Sequence, residues 1–429
     1  MTEVIEKTEN KKGYKKTKLG WIPKNWEVVR LKDIVVYSQS GLSRKLSNND
    51  IGLPVIRSNN IKNNTIDFSE IKYWYKNDPQ GANTQNYVLQ NNDILLNFIN
   101  SLAQIGKCAI FINSLNRDTI FTTNIMRLKL NPTKITPYFY ILQTLNERYL
   151  YYIGSIAKPA INQASFTSND YKMYKISLPP ITEQEKIAEI LSVWDDGIET
   201  LEKLIEQKEI FHKALMKNLL IGKIRLSGYN SKWTHSKFNS IFERITRKNE
   251  ELNSNILTIS AQNGLISQKD FYNKRIASVD TSKYILLNNG EFAYNKSYSN
   301  GYPLGAIKRL DLYEKGVVSS LYICFKLNNS DNCSDFWKYY FEAGMLNREI
   351  KMIAQEGARN HGLLNMATED FFNVLLYHPK DSKEQQKIAE ILNKSDKEIQ
   401  LLNSKLEKLK EQKKGLMQKL LTGQIRVKV

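Results

Sequence analysis

The chain has 429 residues and a formal net charge of +18 at pH 7. This length is too great for a single core, so two or more domains are expected. The basic excess favours nucleic acid or an anionic membrane as partner, and nucleic acid is the better interpretation because no apolar run approaches a membrane span and no lipidation motif is present. On charge alone, a basic surface that simply faces solvent stays an alternative.

The N-terminus and the cysteines predict the compartment. The first residues, MTEVIEKTENKKGYKK, lack the apolar core of a signal peptide. The three cysteines, Cys108, Cys324 and Cys333, have no CxxC spacing. This usage predicts a reduced cytoplasmic protein without a zinc site.

In chain order, a basic N-terminal segment comes first, residues 1–25, and its start is predicted to be disordered. The first globular domain, residues 26–181, opens at Trp26 in NWEVVRLKDI. It contains the alternating run IFTTNIMRLKLN, which is typical of a strand, and then a predicted helix over 138–153.

A long helix, residues 182–226, follows the first domain, and its sequence returns as a second helix, residues 382–429. EQEKIAEIL becomes EQQKIAEIL, and the register holds without a gap, so that Gln184 corresponds to Gln385 and Arg225 to Arg426. Nearly half of the aligned positions are identical. A repeat of this kind determines how the rest of the chain is interpreted.

Apolar positions in both copies step by four and three residues, which predicts a coiled-coil seam over five heptads. Lys208, His212, Ser395 and Lys413 are polar exceptions that could set the register. The alternative is two ordinary amphipathic helices packed on separate cores. The predicted seam residues are Ile187, Leu191, Ile198, Leu201, Ile205, Leu215 and Leu219 in the first copy, and Ile388, Leu392, Ile399, Leu402, Leu406, Leu416 and Leu420 in the second.

The second globular domain, residues 227–381, repeats the first. KWTHSKFNSI places Trp233 where Trp26 lies, VVSSLYICFKLN corresponds to the first alternating run, and a helix is predicted over 336–353. We therefore predict an α+β fold with two similar globular domains joined by two long helices that form an antiparallel coiled coil. A pseudo-twofold axis is expected by analogy with homodimers, and the N-terminal segment should lie near the C-terminal end. The strand order is not readable.

Catalytic motifs are missing from the sequence. The nearest match to a methyltransferase tetrad [DNS]PP[YF] is Leu178-Pro179-Pro180-Ile181, which lacks the polar first residue and the aromatic last one. No G-x-x-x-x-G-K-[ST] loop and no HExxH motif occurs. The chain is predicted to bind and not to catalyse, with no catalytic residue, metal site or cofactor of its own.

The repeated EQxKIAEIL, the heptad helix, the ending GLMQKLLTGQIR and the opening LGWIPKNWEVVRLKDI together resemble the specificity subunit of type I restriction–modification enzymes. The first copy departs at its end, where Lys213-Ala214-Leu215-Met216 replaces Lys414-Gly415-Leu416-Met417. The resemblance covers the whole chain. It implies two target recognition domains, each reading half of a split site in double-stranded DNA.

The same resemblance implies helices that set the spacer and dock two modification subunits, which use S-adenosylmethionine to methylate adenine. Restriction subunits would add translocation and cleavage with ATP and magnesium, in defence against foreign DNA. None of this chemistry is expected in the present chain.

DNA contacts are predicted in polar stretches rich in turn residues, where binding loops usually lie. Arg, Lys, Asn and Gln are the side chains that most often contact base edges and phosphates. The candidates are Arg44, Lys45, Arg57, Asn59, Asn60, Lys62, Lys158, Asn162 and Gln163 in the first domain, and Arg247, Lys248, Gln262, Asn263, Asn295, Lys296, Arg359, Asn360 and His361 in the second.

Two other classes of function stay open on the sequence. One is a methyltransferase or nuclease with its own active site, and the other is a coiled-coil adaptor without a DNA role. The basic excess and the absence of long acidic tails count against the adaptor. The recognised bases, the spacer length and the subunit stoichiometry are not readable.

Overall fold

The computed structural model describes residues 12–260, 263–272, 280–298, 301–329, 331–356 and 364–428. The predicted disorder at the start of the chain concerns residues that lie outside these ranges. The chain divides into two compact units. Unit 1 comprises residues 1–200 and 406–429, and unit 2 comprises residues 201–405.

Unit 1 contains many short strands and few helices. Its strands are β1 (Tyr14–Thr17), β2 (Gly20–Pro23), β3 (Glu27–Arg30), β4 (Val35–Ser40), β5 (Gly52–Ile56), β6 (Ile61–Lys62), β7 (Thr65–Ile66), β8 (Lys72–Tyr75), β9 (Ile94–Asn97), β10 (Ile99–Asn100), β11 (Cys108–Ile110), β12 (Ile120–Phe121), β13 (Ile125–Leu130), β14 (Lys158–Ala160), β15 (Gln163–Ser165) and β16 (Lys175–Leu178). Its helices are α1 (Pro137–Thr144), α2 (Glu147–Ile156), α3 (Ser168–Lys172) and the first half of α4 (Ile181–Leu220).

Unit 2 continues with the second half of α4 and a similar series of elements. Its strands are β17 (Thr234–Lys237), β18 (Phe242–Arg244), β19 (Leu257–Ser260), β20 (Gly264–Ser267), β21 (Ile285–Asn288), β22 (Phe292–Asn295), β23 (Ala306–Arg309), β24 (Lys315–Val318), β25 (Ile323–Leu327), β26 (Gln355–Glu356), β27 (Leu364–Asn365) and β28 (Leu375–His378). Its helices are α5 (Phe238–Ile241), α6 (Gln268–Tyr272), α7 (Ser334–Glu342), α8 (Asn347–Ile353), α9 (Thr368–Asn373) and most of α10 (Ser382–Leu421), whose end belongs to unit 1.

The two units share a sheet topology. In unit 1 the central antiparallel sheet has the order β11-β9-β13-β4, and in unit 2 the order β23-β22-β25-β18 uses the corresponding strands. Pairs β3–β16 and β17–β28 also correspond, as do the hairpins β14–β15 and β26–β27. The predicted α+β fold with two similar domains is therefore confirmed, and the shared strand order is information that the sequence did not provide.

The predictions of one helix over 138–153 and one over 336–353 were wrong, because each range contains two helices. The side chain of Asn146 accepts a hydrogen bond from the backbone N of Arg148 at 3.0 Å and thereby caps α2 as a new helix. In unit 2, α7 ends before Gly344, whose φ of +67° is a left-handed conformation that glycine adopts readily.

The core of each unit includes residues from both long helices. In unit 1, Ile187 of α4 and Leu420 of α10 join Trp26, Phe139 and Tyr140 in one buried cluster. A matching cluster in unit 2 contains Leu219 of α4, Ile388 of α10 and an aromatic group around Phe238, Phe325 and Trp337. The helix ends are therefore part of the domain cores as well as of the helix pair.

Inside each unit the helices run antiparallel, as predicted. Residues later in the first copy of the repeat pair with residues earlier in the second copy. The ion pairs that show this direction are Glu183–Arg426 and Asp195–Lys413 in unit 1, and Lys208–Glu398 and Arg225–Glu384 in unit 2.

The described part of the basic N-terminal segment forms the hairpin β1–β2. The Tyr14 hydroxyl donates a hydrogen bond to the carbonyl oxygen of Gly423 at 2.8 Å. The segment thus lies beside the end of α10, where the sequence analysis expected it.

Candidate functional site

A buried carboxylate joins three parts of unit 1 at the start of α4. The side chain of Glu183 is 2% exposed. It accepts a hydrogen bond from the indole Nε1 of Trp26 at 2.9 Å and two from the Arg426 guanidinium, at 2.6 and 2.9 Å. Because a buried carboxylate is costly unless it is paired and hydrogen-bonded, these three hydrogen bonds stabilise Glu183 in the interior. We call this group the unit 1 clamp.

Unit 2 contains the same arrangement built from the repeat-equivalent residues. Glu384 accepts from the indole Nε1 of Trp233 at 3.2 Å and from Arg225 at 3.0 and 3.2 Å. The carboxylate therefore comes from the start of one helix copy and the guanidinium from the segment that follows the other copy. Each unit is closed by residues that lie far apart in sequence.

The glutamine beside each clamp carboxylate ties the helix start to its domain. The Gln184 amide accepts from the backbone N of Thr136 at 3.0 Å and donates to the carbonyl of Pro179 at 2.9 Å. Gln385 makes the equivalent bonds to the N of Cys333 at 3.1 Å and to Pro379 at 3.0 Å. These contacts give the EQ pair of both copies a structural role.

A tyrosine–aspartate contact about three helical turns further along α4 or α10 also occurs in both units. The Tyr138 hydroxyl donates to Asp195 at 2.8 Å, and burial, with Asp195 as a second cause, raises the pKa of Tyr138 above its usual value. Lys413 completes the unit 1 group by pairing with Asp195.

In unit 2 the corresponding group is Tyr339, Asp396 and His212. Tyr339 donates to Asp396 at 2.7 Å, and His212 Nε2 lies 3.1 Å from the same carboxylate. The other ring nitrogen of His212 is buried without a hydrogen-bond partner. Of the polar seam residues, His212 and Lys413 thus occupy equivalent places and hold equivalent aspartates.

All of the predicted seam residues are buried or half-buried. Those near the helix ends belong to the domain cores, and those in the middle lie outside the two large core clusters. The buried ones are Ile187, Leu191, Leu201, Ile205, Leu219, Ile388, Leu392, Leu406 and Leu420, and the half-buried ones are Ile198, Leu215, Ile399, Leu402 and Leu416.

Several predicted DNA contacts in unit 1 bind other parts of the same unit. Arg44 pairs with Asp78 at 2.5 Å and holds the pKa of that carboxyl well below its usual range. Arg57 donates to the carbonyl of Glu70 at 2.6 Å.

The neighbouring candidates differ in exposure. Asn60 is buried and donates to the carbonyl of Asp67 at 2.9 Å, while Lys62 pairs with the Asp67 carboxylate at 2.6 Å. Lys45 and Asn59 are exposed. The candidates Lys158, Asn162 and Gln163 come together on the exposed hairpin β14–β15.

In unit 2 the candidates are more scattered. Arg247 is exposed but pairs with Glu291 at 2.7 Å, and Lys248 is exposed with its ammonium 3.3 Å from the carbonyl of Lys283. Asn263 is exposed, whereas Asn295 and Lys296 are half-buried at the end of β22. Gln262, Arg359, Asn360 and His361 lie outside the described residues.

The clamp residues Trp26, Glu183 and Arg426 were not predicted as a group, although their recurrence as Trp233, Glu384 and Arg225 was the available signal. Ile161, exposed at the tip of β14–β15, was also not among the predicted residues. Among the residues that the structure describes, no cluster of three metal-ligating side chains occurs. No described helix is both long and apolar enough to cross a membrane.

These features define a class of protein: two copies of one α+β domain, each closed by both members of a repeated helix pair, with basic and amide side chains on exposed loops. Residues 23–210 match the family model described as the type I restriction modification DNA specificity domain. A putative type I restriction enzyme MjaX specificity subunit from Methanocaldococcus jannaschii is 29% identical over 435 residues, covering 97% of each chain.

Two solved structures are similar in fold. The type I restriction-modification S subunit from M. genitalium has a TM-score of 0.50 at 15% identity, covering 92% of this chain and 96% of that one. A chain from a study of complex assembly and conformational transition of the type I R-M system has a TM-score of 0.54 at 13% identity, covering 94% and 99%. Residues 23–210 of the present chain thus match the DNA specificity domain of type I restriction–modification systems, and nearly the whole chain is similar to a protein named as a specificity subunit of such a system.

Proposed function

We propose that each globular domain reads one half of a bipartite site in double-stranded DNA, with residues 26–181 and 227–381 as the two target recognition domains. The observation that carries this proposal is the shared strand order of the two units, because two copies of one fold can each bind an equivalent stretch of duplex. The net charge of +18 supports phosphate contacts by both.

The helix segments 182–226 and 382–429 are proposed to set the length of the unread spacer and to dock two modification subunits. Those subunits would supply S-adenosylmethionine and adenine methylation, and restriction subunits would supply ATP- and magnesium-dependent cleavage. The proposed compartment is the cytoplasm, and the three free thiols agree with a reducing environment.

A face of α4 in unit 2 is suited to a partner helix. Leu204, Ile210 and Phe211 are exposed, and Phe211 is 60% exposed despite its large apolar ring. Leu204 and Phe211 are seven residues apart, so they lie on one side of the helix. The repeat-equivalent residues of the second copy, Lys405, Glu411 and Gln412, are polar. We assign this α4 face to one modification subunit.

Replacing Leu204 and Phe211 together by aspartate is expected to weaken modification-subunit binding about 100-fold, because two apolar side chains would no longer be buried at the interface. The fold should persist, since both side chains face solvent in the free chain. Isothermal titration calorimetry with the purified subunits measures the change in affinity. Gln412→Asp serves as the matched control on the other helix copy, and unchanged binding by the double variant would contradict the assignment.

Independent reading by the two domains is tested by exchange. Replacing residues 27–178 by the corresponding segment of a relative keeps Trp26 and Glu183, and hence the unit 1 clamp. Mapping of modified adenines in DNA exposed to the assembled complex should then show one altered half-site and one unchanged half-site. A simultaneous change in both halves would mean that the domains do not read separately.

A further inference from the structure

The hairpin β14–β15 projects an apolar tip from unit 1. Ala160 pairs with Gln163, so Ile161 and Asn162 form a two-residue turn. Asn162 has a φ of +63°, a left-handed conformation that asparagine tolerates better than most residues. Ile161 at the other turn position is 93% exposed.

The base of this hairpin is held firmly. β15 pairs with β10 through Ile99–Ser165 and Asn100–Ala164, so the hairpin is part of a three-stranded sheet. Directly after β15, the buried ring of Phe166 stacks on Tyr171 at a centroid distance of 5.5 Å. Anchoring at the base fixes the direction in which the tip points.

The chemistry of the tip suits a DNA groove. Lys158, Asn162 and Gln163 are exposed beside Ile161, which places one cation and two amides around an apolar centre. The major groove of B-DNA admits a two-stranded β-ribbon, amides pair with base edges there, and aliphatic side chains contact the thymine methyl group. An isoleucine that is 93% exposed gains almost no burial within the hairpin, so its apolar side chain is available to a partner.

A groove lined by both apolar and polar side chains lies next to the hairpin. Its volume is about 440 Å³, and its lining includes Lys158, Ser165, Thr167, Ser168 and Ser38. The Lys172 ammonium donates to the Ser38 hydroxyl at 2.7 Å. Hydroxyls with nearby lysines are typical contacts of phosphate and sugar. These side chains of the protein groove can therefore contact the DNA backbone while the hairpin tip contacts the base edges.

From these observations we infer that the β14–β15 hairpin enters the major groove of one half-site and that Ile161 is a specificity-determining residue that contacts base edges. Asn162 and Gln163 bind the neighbouring edges, and Lys158 binds a phosphate. This inference rests on the proposed function and adds to it the groove, the element and the apolar contact.

The test uses the assembled complex and a duplex that carries its mapped site, compared with a duplex in which that half-site is scrambled. Ile161→Ala is expected to weaken binding to the site about 5- to 30-fold, because up to three carbon atoms leave the interface. Binding to the scrambled duplex and the salt dependence should stay as in the wild type. Lys158→Ala should weaken binding to both duplexes and reduce the slope of log affinity against log salt by about 0.9.

Ile112→Ala is the matched control, since Ile112 belongs to the same unit and is 59% exposed away from the hairpin. Equal site affinity for Ile161→Ala and Ile112→Ala would overturn the inference. Dimethyl sulfate footprinting distinguishes the grooves: loss of protection in Ile161→Ala at guanine N7 supports major-groove entry, and loss at adenine N3 alone overturns it. A wild-type complex without preference for its site over the scrambled duplex would instead refute the proposed function.

Discussion

Arg426→Ala is expected to lower the free energy of unfolding by about 2–3 kcal/mol, although only three residues follow Arg426 in the sequence. The loss arises because Glu183, 2% exposed, would stay buried with the Trp26 indole as its remaining described side-chain partner. Breaking a fully buried ion pair costs about 3–5 kcal/mol, and a smaller loss is expected here because Arg426 itself is 39% exposed. Urea unfolding of the purified chain measures the change.

Two further variants make this result specific. Arg225→Ala removes the same interaction from Glu384 in unit 2 and should have an effect of similar size, since the two clamps share their geometry. Lys428→Ala, close to Arg426 in sequence, removes an exposed cation and should change the free energy of unfolding by less than about 0.5 kcal/mol. Equal effects of Arg426→Ala and Lys428→Ala would show that the clamp does not stabilise the fold.

Insertion of three heptads into each long helix is expected to lengthen the unread spacer by about nine or ten base pairs and to leave both half-site sequences unchanged. The insertions would follow Thr200 and Lys405, where the two compact units divide. Twenty-one added residues lengthen each helix by about 32 Å at roughly 1.5 Å per residue, which is close to one turn of B-DNA. The heptad period keeps the seam in register.

A single inserted heptad is the control for phase. It adds about 10.5 Å, or about three base pairs, and turns one half-site by about 100° relative to the other. Poor binding is expected, because distance and angle cannot both be satisfied without twisting the DNA. Mapping of modified adenines on random DNA measures both insertions. An unchanged spacer length in the three-heptad variant would show that helix length does not set the spacer. Altered half-site bases would show that the helices take part in base recognition.

The two copies of the repeated helix differ in side-chain chemistry at several equivalent positions. His212 and Lys413 occupy equivalent seam positions, yet only the lysine is a permanent cation against its aspartate, and the buried Nδ1 of His212 has no partner. Leu204 and Phe211 are apolar where the second copy has Lys405 and Gln412. Two halves with one fold therefore present different surfaces to partners.

The sequence by itself determined the parts of this protein that repeat. Glu183 and Glu384, Gln184 and Gln385, and the heptad leucines and isoleucines recur at one spacing, and helical periodicity is a local property that each stretch of sequence carries. The order domain, helix, domain, helix could therefore be predicted from the sequence, together with the resemblance to the specificity subunits of type I restriction–modification enzymes. The helix breaks at Asn146 and Gly344 were not predicted, because a single capping residue can end a helix within a stretch whose periodicity still favours helix.

Tertiary structure alone decided which residues meet. The clamp joins Trp26, Glu183 and Arg426 across the length of the chain, and no periodicity reports such a contact because strand pairing and helix docking depend on non-local burial. The same reason explains why the surroundings of the polar candidates could not be predicted: Arg44 pairs with Asp78, and Asn60 donates to the carbonyl of Asp67, within the unit. The exposure of Ile161 at the hairpin tip could not be predicted either, because isoleucine is most often a buried residue.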